Sequence, residues 1–86
     1  MKNIANNLKA ISSDRRLTII QFLHEKPRNL QEIAFFLKVT SPTASFHLRK
    51  LLQESFVVSE RRGKETYFIV TPQLRLSKFY KHVLQG

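Results

Sequence analysis

Between residues 41 and 54 the chain sets three short hydroxyls, Ser41, Thr43 and Ser45, ahead of two long cations, Arg49 and Lys50. On a helix, small polar side chains in the first turns allow close approach to the edges of bases. Cations a turn or two further on can reach phosphate or guanine, and the helix N-terminus itself favours an anion. If Ala44, Leu48, Leu51 and Leu52 face a core, the opposite side carries Pro42, Ser45, Phe46, Arg49 and Gln53, flanked by Thr43 and Lys50. A solvated helix would show the same polar face, so this segment alone decides nothing. Shortly after it, Arg61, Arg62 and Lys64 cluster around Gly63. Such a tip can lie along a phosphate backbone or in a minor groove, and equally it can keep an exposed hairpin from pairing edge to edge. Helix and tip together favour nucleic acid.

The charge balance points the same way. Fifteen Lys and Arg face six Asp and Glu in 86 residues, a formal net charge of +9. The two halves of the chain share the excess, so it is not a basic tail, and a folded surface of this kind attracts polyanions. There is no cysteine, which excludes a disulfide scaffold, a thiolate metal site and a thiol nucleophile. His24, His47 and His82 have no metal-ligand spacing among them. No paired carboxylates, Gly-rich phosphate loop or Ser-His-Asp set suggests an enzyme, and the chain has only two glycines. No cofactor is expected. The length suits one domain spanning residues 1–86. Nothing in it resembles a membrane span or the apolar core of a signal peptide, so the cytoplasm is the expected compartment.

The elements that must position these residues follow from periodicity. Ile4, Ala5, Leu8 and Ile11 have helical spacing. Ser12 or Ser13 can cap a second helix carrying Leu17, Ile20 and Leu23, which stops near Lys26 before Pro27. Asn29 with Glu32 opens a short helix bearing Leu30, Ile33, Ala34 and Leu37. Thr40 or Ser41 caps the next helix, with Pro42 in its first turn. The period then changes to that of strands, at residues 56–61 and 66–71, around the turn Arg62-Gly63-Lys64-Glu65. Leu76, Phe79, Tyr80, Val83 and Leu84 return to helical spacing over residues 74–84. Helices followed by a basic hairpin predict a mainly α fold with a β-hairpin wing, the winged helix-turn-helix.

Residues Thr40 to Leu51, with His47 and Leu48 at their centre, resemble the recognition helix of the ArsR/SmtB-type winged-helix repressors, whose pattern is Leu-Ser-x-x-Thr-Val-Ser-x-His-Leu-x-x-Leu. Ile11 to Ile20 is similar to that family's opening segment, Leu30 to Ala34 to its first helix-turn-helix helix, and Val57 to Val70 to its wing. The resemblance covers roughly residues 8–72. It implies a transcriptional regulator, a repressor, that binds a palindromic double-stranded DNA site as a homodimer. Reading would fall to Ser41, Thr43, Ser45, Phe46, His47, Arg49 and Lys50, and wing contacts to Arg61, Arg62 and Lys64. It also implies that the terminal helices pack between subunits. The unpartnered stripes Ile4, Leu8, Ile11 and Leu76, Phe79, Tyr80, Val83, Leu84 agree with this, although packing within one small core is a competing use for them.

Two departures stand out. Many members sense metal through a Cys-x-Cys pair where this chain has Asn29-Leu30-Gln31-Glu32, so thiol-based metal sensing is not expected. Phe46 replaces a residue that is often polar; its ring could touch a thymine methyl or pack against the wing. The competing functions are a winged-helix adaptor for protein and an RNA-binding module. For the latter, Phe35, Phe36, Phe46, Tyr67 and Phe68 could stack bases, but most of them read as core positions.

Overall fold

The computed structural model describes residues 14–78, 80 and 81. Helix α1 (Asp14–Glu25) turns Ile19, Ile20 and Leu23 inward, with Leu17 and Phe22 partly buried beside them. A two-residue strand β1 (Arg28–Asn29) leads into α2 (Leu30–Leu37), and α3 (Ser41–Gln53) follows after a three-residue turn. The strands β2 (Val57–Arg62) and β3 (Glu65–Val70) make the hairpin, and α4 (Pro72–Arg75) comes next. The sheet order is β1-β3-β2, antiparallel throughout. This is the winged helix-turn-helix that the sequence predicts, with a third strand added to the wing.

The start signals work through side chains. Asn29 and Glu32 form a complete capping box: the Asn29 Oδ1 accepts from the Glu32 N–H at 2.8 Å, and the Asn29 N–H donates to the Glu32 carboxylate at 2.9 Å. Thr40 caps α3 by accepting from the Thr43 N–H, with Pro42 in the first turn, where its missing donor costs nothing. The stop signals are unusual because they contain no glycine. Lys38 and Ser55 both take left-handed backbone, at φ 59° and 64°. At the end of α2, Val39 N–H reaches Ala34 O while Lys38 N–H reaches Phe35 O. At the end of α3, Phe56 N–H reaches Leu51 O while Ser55 N–H reaches Leu52 O. Both are Schellman closures, and each satisfies carbonyls that the helix leaves without partners.

The core lies where α1, α2, α3 and the sheet meet. Ile19, Ile20, Ile33, Ala44, Leu51, Phe56 and Leu74 have no exposed surface there. Each large apolar side chain so removed from water contributes on the order of 1.5–3 kcal/mol. Leu52, expected on the buried side of α3, is exposed instead: one residue on from Leu51, it is rotated off the side that Ala44, Leu48 and Leu51 turn to the core. Among the described residues the buried polar side chain is Thr71. Its hydroxyl donates to Ser55 O at 2.8 Å and accepts from Leu74 N–H at 3.3 Å, so one group ties the end of α3 to the cap of α4.

The expected helix over residues 74–84 is corrected at its start. Capped by Thr71, α4 begins at Pro72 and stops at Arg75, and the chain turns through 76–78 before Tyr80 N–H bonds to Ser77 O. The turn breaks the stripe. Leu76 is 87% exposed, while Tyr80 is buried, its hydroxyl 2.9 Å from His24 Nδ1. Tyr80 therefore joins the core of its own chain rather than an outward apolar face. Ile4, Leu8, Ile11, Phe79, Val83 and Leu84 lie outside the described residues.

Candidate nucleic-acid interface

With Ala44, Leu48 and Leu51 buried, α3 presents Pro42, Phe46, Arg49 and Gln53 outward, and Thr43 and Lys50 are exposed beside them. Ser41 is exposed on the side toward the wing, where it lines a groove of about 420 Å³ with Asn29, Leu30, Gln31, Glu65, Thr66 and Phe68. Ser45, expected on the outward face, is half-buried on a flank. Thr43 Oγ1 accepts from Thr40 Oγ1 at 3.0 Å, which orients the hydroxyl at the start of the helix. No residue of α3 is acidic.

Phe46 is 51% exposed, and its ring meets groups of its own helix: the His47 imidazole stands edge-on at 5.6 Å between centroids, and the Lys50 ammonium lies 5.5 Å from the ring centre. Two other aromatics also run against expectation. Phe35 is 87% and Phe36 49% exposed, because the buried side of α2 is occupied by Ile33 and Ala34. Phe36 stacks on Phe22 at 4.0 Å, and the Arg28 guanidinium caps Phe22 from 4.0 Å. Tyr67 and Phe68 are half-buried.

The register of the wing separates its cations. Pairs Val57↔Val70, Ser59↔Phe68 and Arg61↔Thr66 share one face of the hairpin; Val58↔Ile69, Glu60↔Tyr67 and Arg62↔Glu65 share the other. Val57 and Val70 are buried, so the first face is the one turned toward the helices. Arg61 continues it without a carboxylate, its Nε donating to Gly63 O at 2.9 Å. Arg62 lies on the acidic face, where its Nε donates to Glu60 at 2.6 Å and its guanidinium lies 5.2 Å from the centre of the Tyr67 ring. Lys64 is exposed in the turn, next to Gly63 at φ +63°. The cluster that looks uniform in sequence is thus one cation facing the helices, one paired on the far face and one at the tip.

The base of the wing is held by Asn29. Its strand pairs with β3 at Tyr67, and its Nδ2 donates to Glu65 at 3.4 Å. Glu65 also accepts from the Tyr67 hydroxyl at 3.0 Å, and that bond, followed by the carboxylate's charge, raises the Tyr67 pKa. The wing is therefore anchored to the cap of α2.

On the other flank of α3, His47 is half-buried. Burial lowers its pKa, and the charges of Arg15 and Arg16 lower it further. These two arginines, not singled out by the sequence reading, start α1, and Arg15 Nη1 donates to Leu37 O at 3.2 Å. The only local signal was their adjacency; that they lie close to the His47 flank is a tertiary fact.

Residues 13–59, more than half of the chain, match the profile described as bacterial regulatory protein, arsR family. The chain belongs to the ArsR family. This ArsR-family regulator is 35% identical over 75 residues to YbzH, an HTH-type transcriptional regulator of Bacillus subtilis, a match covering 70% of this chain and 75% of YbzH. Its fold is similar to that of Mb0332 from Mycobacterium bovis, described as a homodimeric winged helix-turn-helix DNA-binding domain, with a TM-score of 0.79 and 27% identity over 95% of this chain and 78% of that one. It is also similar to the transcriptional repressor BigR from Xylella fastidiosa, with a TM-score of 0.76 and 26% identity over 93% of this chain and 78% of that one. The ArsR-family chain is accordingly a transcriptional regulator with a DNA-binding winged helix-turn-helix. Among its described residues no helix is long and apolar enough to cross a membrane, and no group of three or more His, Cys, Asp or Glu could hold a metal ion.

Proposed function

We propose that this regulator is a cytoplasmic repressor that binds a palindromic double-stranded DNA site as a homodimer and does not sense metal through thiols. The observation that carries the DNA reading is the outward side of α3, which has no acidic residue and exposes Thr43, Arg49 and Lys50, together with Arg61 on the helix-facing side of the wing. Opposed to a phosphate backbone, such a surface has nothing to repel. Ser41, Thr43, Phe46 and Arg49 enter the major groove, with Ser45 at its margin. Lys50, His47, Arg15 and Arg16 line the flank that meets phosphate. Arg61 and Lys64 follow the backbone or minor groove beside the wing, and Arg62 contributes charge from the far face.

The homodimer reading draws on the exposed Leu76, on the sequence stripes Ile4, Leu8, Ile11 and Phe79, Val83, Leu84, and on the homodimeric state described for Mb0332. The repressor reading follows the description of BigR. A chain without cysteine has no thiol with which to bind metal.

The test is selection of bound sequences from random duplex DNA. Recovery of an inverted repeat with half-sites about one helical turn apart is the expected result. Equal competition by single-stranded RNA, or no enrichment of any duplex, would instead favour the RNA-binding or adaptor alternatives.

A further inference from the structure

Resting on that DNA reading, we infer that Phe46 makes this regulator specific for thymine: its ring takes the 5-methyl group of one thymine in each half-site. The ring occupies the centre of the outward face of α3, between the exposed Pro42, Arg49, Lys50 and Gln53. Half of Phe46 is exposed, and its contacts with His47 and Lys50 fix the ring on its own helix without covering it. Every neighbour on this face except Pro42 can donate or accept a hydrogen bond; Phe46 can do neither, so it has no use for the polar edge of a base. Base pairs present one apolar group in the major groove, the methyl of thymine. An apolar ring in the middle of a basic reading face therefore matches that group and no other base edge. The Lys50 ammonium beside the ring adds the complementary phosphate contact that would hold the face against the groove.

The experiment replaces thymine by uracil, which removes the methyl and leaves every hydrogen-bonding group in place. Single replacements are made along a duplex recovered by selection, and binding by the wild-type chain, Phe46→Ala and Phe46→Leu is titrated. Phe46 is exposed and alanine is the better helix former, so the variants fold. The wild type should lose affinity roughly three- to fivefold at one thymine per half-site, the size of one methyl group removed from water. Phe46→Ala should bind thymine and uracil alike there, and Phe46→Leu should keep part of the difference. A wild type indifferent to every replacement, but still selective for the duplex, overturns the inference and leaves the DNA reading standing. A uracil effect that persists in Phe46→Ala also overturns it, since the methyl then acts through the shape of the DNA. A chain that selects no duplex overturns both.

Discussion

Arg61 and Arg62 are neighbours of the same type, yet the pleat sends them to opposite faces of the wing. Arg61 continues the face turned toward the helices, whereas Arg62 is already paired with Glu60. Replacing Arg61 with alanine should weaken binding to specific and random duplexes alike and reduce the salt slope by about one. Arg62→Ala should do so less, because its guanidinium is held by Glu60 on the face of the wing turned away from the helices. Titrations at several salt concentrations on both duplexes measure this, and a larger effect at Arg62 would reverse the assignment of faces. His47 makes a different kind of prediction. Unfolded, its imidazole takes a proton near pH 6.5, but in the folded chain burial and then the charges of Arg15 and Arg16 lower that value. Between the two values the unfolded chain binds more protons, so the His47 contribution to stability is present above about pH 6.5 and lost as pH falls through the folded pKa. Melting temperatures measured downward from pH 7.5 should fall less steeply in His47→Gln than in the wild type; parallel curves would remove His47 as a cause.

Among the elements, the two helices of the helix-turn-helix have conventional starts and unconventional ends. Asn29 and Thr40 are caps of the preferred residue types, while Lys38 and Ser55 occupy left-handed positions that usually fall to glycine. A side chain in that region costs roughly 1–2 kcal/mol. Ser55→Gly keeps the backbone bonds of the closure and should stabilise the chain by about 1 kcal/mol, raising the melting temperature by roughly 4–8 °C in a domain of this size. Unchanged or lowered melting would mean that the extra freedom glycine gives the unfolded chain outweighs the relieved strain. The caps were readable because they act within three residues. The closures were not: neither carries a glycine, and what enforces the Ser55 turn is the burial of the next residue, Phe56, in the core.

At the scale of the whole molecule, the C-terminal stripe divides between two purposes. Tyr80 is held inside by His24, and Arg75 reaches the His24 carbonyl at 3.1 Å, so this end of the chain is fastened to α1. Leu76 faces outward. A charge there should leave the monomer folded and disfavour association: Leu76→Glu should sediment as a monomer at concentrations where the wild type is a dimer, and bind duplex DNA more weakly. A wild type that sediments as a monomer while binding normally would remove the homodimer from the proposal.

Periodicity, caps and composition were enough to read the three helices that end at Glu25, Leu37 and Gln53 and the hairpin that follows them, because each is determined by residues a few positions apart. The sequence pattern around His47 and Leu48 also carried the family. What needed the tertiary structure were choices between surfaces. Helical spacing grouped Leu76 with Tyr80, but a turn at residues 76–78 put one in water and the other beside His24. Of the five aromatics read mostly as core positions, Phe35, Phe36 and Phe46 are exposed, because the buried sides of α2 and α3 are taken by Ile33, Ala34, Ala44, Leu48 and Leu51. A two-residue strand has no period to detect, so the anchoring of the wing by Asn29 was invisible. Which arginine faces the helices depends on a register set by Val57 and Val70 in the core. In each case the deciding contact joins residues far apart in sequence, and local propensity carries no information about such a contact.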